Sequence, residues 1–151
     1  MVSTYTTNKS IEKPGHGDYV NTWDVPVNAD MDVIDQAFGG VTSLNATAGS
    51  ASLSASQYRS LLVKVTGAMA ADVVYTIPSG VGGQWIIYNT TTDSSGGPWT
   101  VTFASGGGGA SVIITRNTII TIICDGTNVY TSSTASSNSY TRTNYTASAS
   151  Q

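Results

Sequence analysis

The sequence predicts an all-β fold, an antiparallel, jelly-roll-like β-sandwich preceded by an extended N-terminal arm with one short helix. From residue 61 onward, short segments rich in Val, Ile and aromatic residues recur at spacings of roughly 8 to 12 residues, with Gly, Pro, Asp and Ser between them. No amphipathic helix separates these segments, which disfavours a parallel α/β fold. Residues 1–40 have a different composition and hold most of the acidic residues of the chain.

Composition and charge exclude several classes of protein. The length of 151 residues favours one domain, and only 10% of residues are charged, against about 25% in ordinary soluble domains. A net charge of −3 provides no cationic surface for phosphate, so no nucleic-acid partner is expected. One cysteine, Cys124, and one histidine, His16, exclude an intrachain disulfide and the usual Cys/His zinc sets. The first residues lack the pattern of a signal peptide and no apolar run approaches the roughly 18 residues of a membrane span, so we expect synthesis in a cytoplasm and no membrane partner.

Residues 1–40 are predicted to form the arm. Their first 27 residues show neither a helical nor a strand period, which is typical of an extended segment. From Asn28 onward, a capping residue and two aspartates precede apolar residues at helical spacing, so a short helix is predicted over residues 29–38, ending at Gly39-Gly40. The apolar positions of this helix are Met31, Ile34, Ala37 and Phe38. A helix this short is marginal in water, so its apolar side must dock onto another surface.

The remaining chain divides into three parts by composition. Residues 41–58 are rich in Ala, Ser and Thr and are predicted to be a linker, residues 59–133 the β-sandwich domain, and residues 134–151 a Ser/Thr-rich tail that is ordered only against a partner. Seven strands are predicted, at Leu61–Thr66, Val73–Ile77, Gln84–Thr90, Trp99–Ala104, Ser111–Thr115, Thr118–Cys124 and Asn128–Ser132. The last two are expected to pair in a hairpin around Asp125-Gly126.

Two of the predicted strands are apolar on both faces, around Val112–Ile114 and Ile119–Cys124. A strand of a sandwich has one face in the core, so an apolar second face must also be covered. A domain of about 80 residues buries only about 60% of its unfolded surface, which makes self-association a source of stability. We therefore expect a homo-oligomer, a trimer, with Ile113, Ile120 and Ile122 at the interface.

No arrangement of residues predicts catalysis, a metal or a cofactor. The Gly-rich runs lack the Gly-Lys-Ser/Thr of a phosphate loop and are predicted to be turns. Asp30 and Asp32 have the alternate spacing of calcium ligands, but the run from Asp30 to Asp35 has apolar residues and a predicted helix where a calcium loop would need a Gly turn and a closing Glu. We expect a protein that is not an enzyme. Two alternatives stay open: a glycan hydrolase using a pair among Asp72, Asp93 and Asp125, and a carbohydrate-binding module. The aromatic platform of such a module would come from Trp85, Trp99, Tyr75, Tyr88 and Tyr130, although strands favour aromatic residues anyway.

Several motifs resemble those of tailed-bacteriophage tail fibres and related virion proteins. In the arm these are Tyr5-Thr6-Thr7-Asn8, Glu12-Lys13-Pro14-Gly15, Gly17-Asp18-Tyr19, Thr22-Trp23, Asn28-Ala29-Asp30-Met31-Asp32, Ile34-Asp35 and Phe38-Gly39-Gly40. In the second half they are Val74-Tyr75-Thr76-Ile77-Pro78, Gln84-Trp85-Ile86-Ile87-Tyr88-Asn89-Thr90-Thr91, Trp99-Thr100-Val101-Thr102 and Cys124-Asp125-Gly126-Thr127-Asn128-Val129-Tyr130.

The resemblance implies a structural virion protein, made in the host bacterial cytoplasm and assembled into the particle. Its arm would attach to another virion protein of the tail, neck or capsid, and its β domain would form a trimer. The residues that would attach are Pro14, Gly15, Tyr19, Trp23, Asn28, Ile34, Phe38 and Gly39. A tail fibre, a collar or connector fibre and a capsid decoration protein all fit, and recognition of a host glycan as receptor is an alternative.

Overall fold

The computed structural model describes residues 2–7 and 9–132 and has an α/β fold, with mixed sheets and two α-helices. The predicted antiparallel, jelly-roll-like β-sandwich is wrong, because many of the neighbouring strands are parallel. Among the described residues, the five-residue helix α2 (Ala55–Arg59) is the only α-helix in the connections between these parallel neighbours, since the chain passes from one sheet to the other and returns to lie beside its earlier strand. The predictions for residues 134–151 lie outside the described residues.

Three successive passes of the chain build the body. The first consists of β3 (Val41–Asn45), a 3₁₀ turn (Ala46–Ala48), β4 (Ala51–Ser52) and α2 (Ala55–Arg59); the second of β5 (Leu62–Thr66), β6 (Ala68–Met69) and β7 (Val73–Ile77); the third of β8 (Gly82–Asn89), β9 (Thr92–Asp93) and β10 (Val101–Ser105). Each pass stacks in register on the one before it, as the coils of a short solenoid do.

Three further strands close the far end of the body: β11 (Val112–Ile114), β12 (Thr118–Asp125) and β13 (Val129–Thr131). Both β11 and β12 run antiparallel to strands of the third pass, and β12–β13 is the hairpin predicted around Asp125-Gly126. The result is a five-stranded sheet of order β13-β12-β8-β5-β3 and a four-stranded sheet of order β11-β10-β7-β4, with a small β6-β9 pair between them. The positions of all seven predicted strands are confirmed to within a few residues.

The core lies between the two large sheets. Alternate residues of β5 and β8, such as Val63, Val65 and Ile87, have no exposed surface, and they face inward together with residues of the four-stranded sheet. In the four-stranded sheet, the ring of Tyr75 on β7 lies 5.6 Å from the ring of Phe103 on β10, the neighbouring strand of the next pass. Burying side chains of this size contributes about 1.5 to 3 kcal/mol each, which offsets the cost of ordering the passes.

The corners of the passes depend on specific residues. Gly67 joins β5 to β6 with φ of +105°, and a Cβ there would lie 2.5 Å from Asn45 Oδ1 of the pass below. Only glycine fits this close approach without strain. At the next corner, Asn89 is buried and satisfied: its amide donates to the carbonyl of Ile114, and its oxygen accepts from the backbone and hydroxyl of Thr91.

Residues 41–58 are part of this body, which differs from the predicted linker. Leu44, Leu53 and Tyr58 are buried in the core. Ser54 and Gln57 form a capping box at the start of α2, with the Ser54 N–H donating to Gln57 Oε1 at 2.8 Å.

The N-terminal residues do not form an extended arm. Strands β1 (Thr4–Tyr5) and β2 (Glu12–Lys13) pair as a short hairpin, and α1 (Asp24–Gly39) is a 16-residue helix, longer than the predicted 29–38. Pro26 lies in its first turn, where a missing N–H is tolerated, and Gly40 caps its end, with its N–H donating to the carbonyl of Gln36. Asn28 is inside the helix and is not its N-cap.

Candidate functional site

Helix α1 carries an apolar stripe on its exposed side. Val27, Met31, Ile34 and Phe38 follow one another at spacings of four, three and four residues, which places them in one line along the helix, and Trp23 at the N-cap continues it. Phe38 is 78% exposed, Trp23 67% and Met31 58%. We call these five residues the α1 stripe.

A different side of α1 fixes the helix to the protein. Pro26 and Val33 are its buried residues. At its C-terminal end the carbonyl of Gln36 accepts from the N–H of Leu61, and the carbonyl of Gly40 accepts from the N–H of Leu62. The helix therefore docks through Pro26, Val33 and its C-terminal end, and the α1 stripe stays exposed among the described residues.

The hairpin and the loop that follows it hold the N-terminal part against the body. Lys9 donates to the carbonyls of Tyr58 and Arg59 at 3.4 Å and lies 5.6 Å from the centre of the Trp85 ring. Partial burial lowers the pKa of the Lys9 amino group. The carboxylate of Asp30 on α1 accepts from the N–H of Glu12 at 2.7 Å, so helix and hairpin are joined.

The flanks of the α1 stripe are acidic. The helical period places Asp24 and Asp35 on one flank and Asp30 on the other, whereas Asp32 lies on the far side, and the helix contains no lysine or arginine. An apolar line whose only charged neighbours on the helix are carboxylates complements an apolar surface with basic residues at its rim, and it repels a second copy of itself.

The residues that the resemblance assigns to attachment fall into two groups. Trp23, Ile34 and Phe38 lie together in the α1 stripe, with Asn28 exposed beside it and Gly39 exposed at the end of the helix. The others lie in the segment between β2 and α1. There Pro14 is exposed, Gly15 donates its N–H to Asp18, and the Tyr19 hydroxyl donates to Glu12 at 2.7 Å, a contact that raises the pKa of Tyr19. Val27 is not among the residues predicted from the sequence, although its spacing of four residues from Met31 is the helical spacing that places both on one side of α1.

The three isoleucines predicted at an oligomer interface occupy different environments. Ile113 is 62% exposed on the outer face of the four-stranded sheet. Ile122 has no exposed surface and belongs to the core, and Ile120 is partly buried against that core. The exposed isoleucines of β12 are their neighbours Ile119 and Ile123, because side chains on a strand alternate between faces.

The outer face of the five-stranded sheet is largely apolar. Val41, Leu62 and Ile86 are aligned across β3, β5 and β8 by the strand register, and Ile119 lies opposite Tyr88. Ile123 lies opposite Tyr130 at the other end of the same face. We call the apolar residues of this surface the outer sheet face: Val41, Leu62, Ile86, Tyr88, Ile119, Ile123 and Tyr130.

The candidate catalytic carboxylates are held by structural contacts. Asp93 forms a bidentate ion pair with Arg116, at 2.6 and 2.8 Å, and the hydrogen bonds from Arg116 lower the pKa of Asp93. Asp72 accepts from the N–H and hydroxyl of Thr100. Asp125 accepts from the N–H groups of Asn128 and Thr127, which lower its pKa in the same way. These contacts fix loops and turns.

The aromatic residues considered for sugar stacking are divided between interior and surface. Trp85 and Tyr75 are buried in the core, and the Trp85 indole donates to the carbonyl of Tyr58 at 2.8 Å. Trp99 packs partly against that core, which leaves Tyr88 and Tyr130 on the outer sheet face.

The described residues offer neither a metal centre nor a membrane-spanning helix. Residues 2–7 and 9–132 contain no group of three or more His, Cys, Asp or Glu side chains that could hold a metal ion, and Cys124 is a buried free thiol. Neither helix in this part of the chain has the length and apolar character needed to cross a bilayer. Comparison with protein-family models, with curated proteins and with solved structures finds no match.

Proposed function

We propose that this protein is a non-enzymatic structural component of a tailed-bacteriophage virion. It attaches through its N-terminal segment, residues 1–40, to another virion protein, and it associates with further copies through its body. A fibre-like part of the tail, collar or neck is the place in the particle that we favour. The resemblance of the N-terminal and strand motifs motivates the class of protein, and the α1 stripe is the observation that carries the mechanism.

The physical argument starts from the exposed apolar surface. Single exposed apolar residues are ordinary, whereas a continuous line of five along one helix marks a site of association. Covering each of these side chains with a partner would contribute about 1.5 to 3 kcal/mol. The partner surface that fits is apolar in the middle and basic at its edges, because every charged residue on α1 is an aspartate.

The first experiment asks whether the protein is in the particle. Tailed-phage particles from the cells that produce the protein are banded at the density of intact virions and analysed by mass spectrometry. We expect the protein in the banded particles, and immunogold electron microscopy should locate it on the tail, collar or neck. Its absence from the banded particles contradicts the proposed function. Label confined to the capsid shell would instead support the decoration alternative.

The second experiment tests attachment through α1. We expect Trp23→Ala and Phe38→Ser to lower the amount of protein in particles at least tenfold, because both remove apolar area from the α1 stripe. Val25→Ser is the matched control: Val25 is 58% exposed and lies on α1, but on the opposite side from the stripe. Equal incorporation of all three variants would show that attachment does not use the stripe.

A further inference from the structure

We infer that the outer sheet face is the surface at which copies of this chain associate. This inference rests on the proposed function, which requires self-association, and it names the face that performs it. The occupant is a second copy of the same chain.

The first step of the argument is the register of the strands. Val41, Leu62 and Ile86 form one row across β3, β5 and β8, and this row continues to Thr121 of β12. The next row on the same side consists of Ser43, Lys64, Tyr88 and Ile119, and Ile119 is 66% exposed. Apolar side chains in adjacent rows form a continuous surface, of the kind that packs against another sheet at about 10 Å.

The second step concerns charge. Lys64 lies within this face, and its amino group is 5.8 Å from the centre of the Tyr88 ring, so its stem and charge rest on the aromatic surface. Asp125 at the end of β12 is engaged by its own turn and by Tyr130. One cation and one anion leave the face close to neutral, so two copies of it do not repel each other. The α1 stripe, flanked by Asp24, Asp30 and Asp35, would repel its own copy.

The third step is the available area. Five strands at about 4.8 Å and up to eight residues at about 3.3 Å give a flat face on the order of 500 Å². Because side chains project from the sheet, its accessible area is larger than the flat area. It is therefore comparable with the roughly 800 Å² per partner of a stable interface.

The other large sheet provides the contrast. On its outer side Thr102 lies between Val74 and Ile113, and Thr76 and Ala104 follow in the next row. Small and hydroxyl side chains therefore separate its two exposed apolar residues. This makes Ile113 a matched control for Ile119, since both are isoleucines on outer faces, exposed to 62% and 66%.

The test measures the mass of the full-length protein in solution by light scattering and sedimentation equilibrium. We expect the wild type to be an oligomer at micromolar concentration, Ile119→Asp to raise its dissociation constant by at least 100-fold, and Ile113→Asp to leave it unchanged. A monomeric wild type, or an Ile119→Asp variant that associates as the wild type does, overturns the inference. Dissociation by Ile113→Asp alone would place the interface on the other sheet and also overturn it.

A second measurement avoids introducing a charged aspartate into the sheet surface. Thr121→Cys places a thiol in the outer sheet face and Thr102→Cys places one on the opposite sheet, while Cys124 is buried in both. A short bismaleimide should join copies of the Thr121→Cys protein and not of the Thr102→Cys protein; the reverse result overturns the inference. Both measurements are made on purified protein, so a negative result here leaves the presence of the protein in particles as a separate question.

Discussion

Two buried tyrosines differ in one hydrogen bond. The Tyr58 hydroxyl lies 3.1 Å from Ser10 Oγ and joins the N-terminal segment to α2. The Tyr75 hydroxyl is buried in the core with no hydrogen-bond partner among the described residues, and burial raises its pKa. A hydroxyl in this environment loses its hydration without a replacement, at a cost of about 1 to 3 kcal/mol.

This difference predicts opposite effects of the same substitution. Tyr75→Phe should leave the free energy of unfolding unchanged or raise it by about 1 kcal/mol, because it removes the unsatisfied hydroxyl and keeps the ring beside Phe103. Tyr58→Phe should lower it by about 1 kcal/mol, because it removes a hydrogen bond that is made. Urea unfolding of both variants under the same conditions checks the pair. A larger loss for Tyr75→Phe than for Tyr58→Phe would mean that the Tyr75 hydroxyl is bonded in solution.

At single positions the sequence indicates which residues are apolar, but not which face of a strand each of them occupies. Ile119, Ile120, Ile122 and Ile123 are equally apolar, so nothing in their pattern distinguishes the buried pair from the exposed pair. A shift of one residue on a strand exchanges its two faces. The interface predicted at Ile120 and Ile122 therefore differs by one residue from the surface that the structure exposes on β12.

Among the elements, α1 has two apolar sides with separate roles. Val33 is 7% exposed and docks the helix onto the protein, whereas Met31 in the α1 stripe is 58% exposed. The two residues are close in sequence, but Val33 packs within the protein and Met31 is available to a partner.

Alanine substitution should separate these sides. Val33→Ala should lower the free energy of unfolding by about 1 to 3 kcal/mol, since it leaves a gap where the helix packs. Met31→Ala should change it by less than about 0.5 kcal/mol, because the side chain is exposed in the free protein. Thermal or urea unfolding measures both. If Met31→Ala is the more destabilising change, the stripe is already covered by the protein itself.

Strand positions were predictable from sequence, whereas strand partners were not. Alternation in Trp99–Ala104 and apolar runs such as Thr118–Cys124 marked β10 and β12 correctly, because each strand must present one side to the core. The sequence shows no long helix between the strands, which predicts antiparallel pairing. That prediction is wrong because the chain turns through short corners from β5 by way of β6 to β7 in the other sheet, and then returns to place β8 parallel to β5. The segment around β3 and β4 was missed because its small residues lack a strong period, although Ser54 and Gln57 carried a helix-start signal.

For the whole molecule, stability follows from stacking of the passes. A strand in the middle of the stack has neighbours on both sides, whereas a strand at the end has one. In the five-stranded sheet, β5 lies between β3 and β8, and β3 is the terminal strand at the N-terminal end of the stack.

Hydrogen exchange should reflect this order. We expect the amides of β5 and β8 to exchange most slowly, those of β3 and β4 faster, and those of the β1–β2 hairpin fastest, because local opening requires fewer contacts to break at the end of the stack. Exchange followed by mass spectrometry on the purified protein at neutral pH measures these rates. Equal protection of β3 and β5 would show that the terminal strand is paired to something beyond the described chain.

In-register stacking also makes axial length adjustable. Each pass needs between about 20 and 30 residues and adds about 4.8 Å along the direction in which strands follow one another. Duplication of a middle pass would therefore lengthen the protein by one fixed increment while the N-terminal helix and the closing strands keep their own contacts. A gene encoding such a protein can change the distance that the molecule bridges by copying a short internal segment.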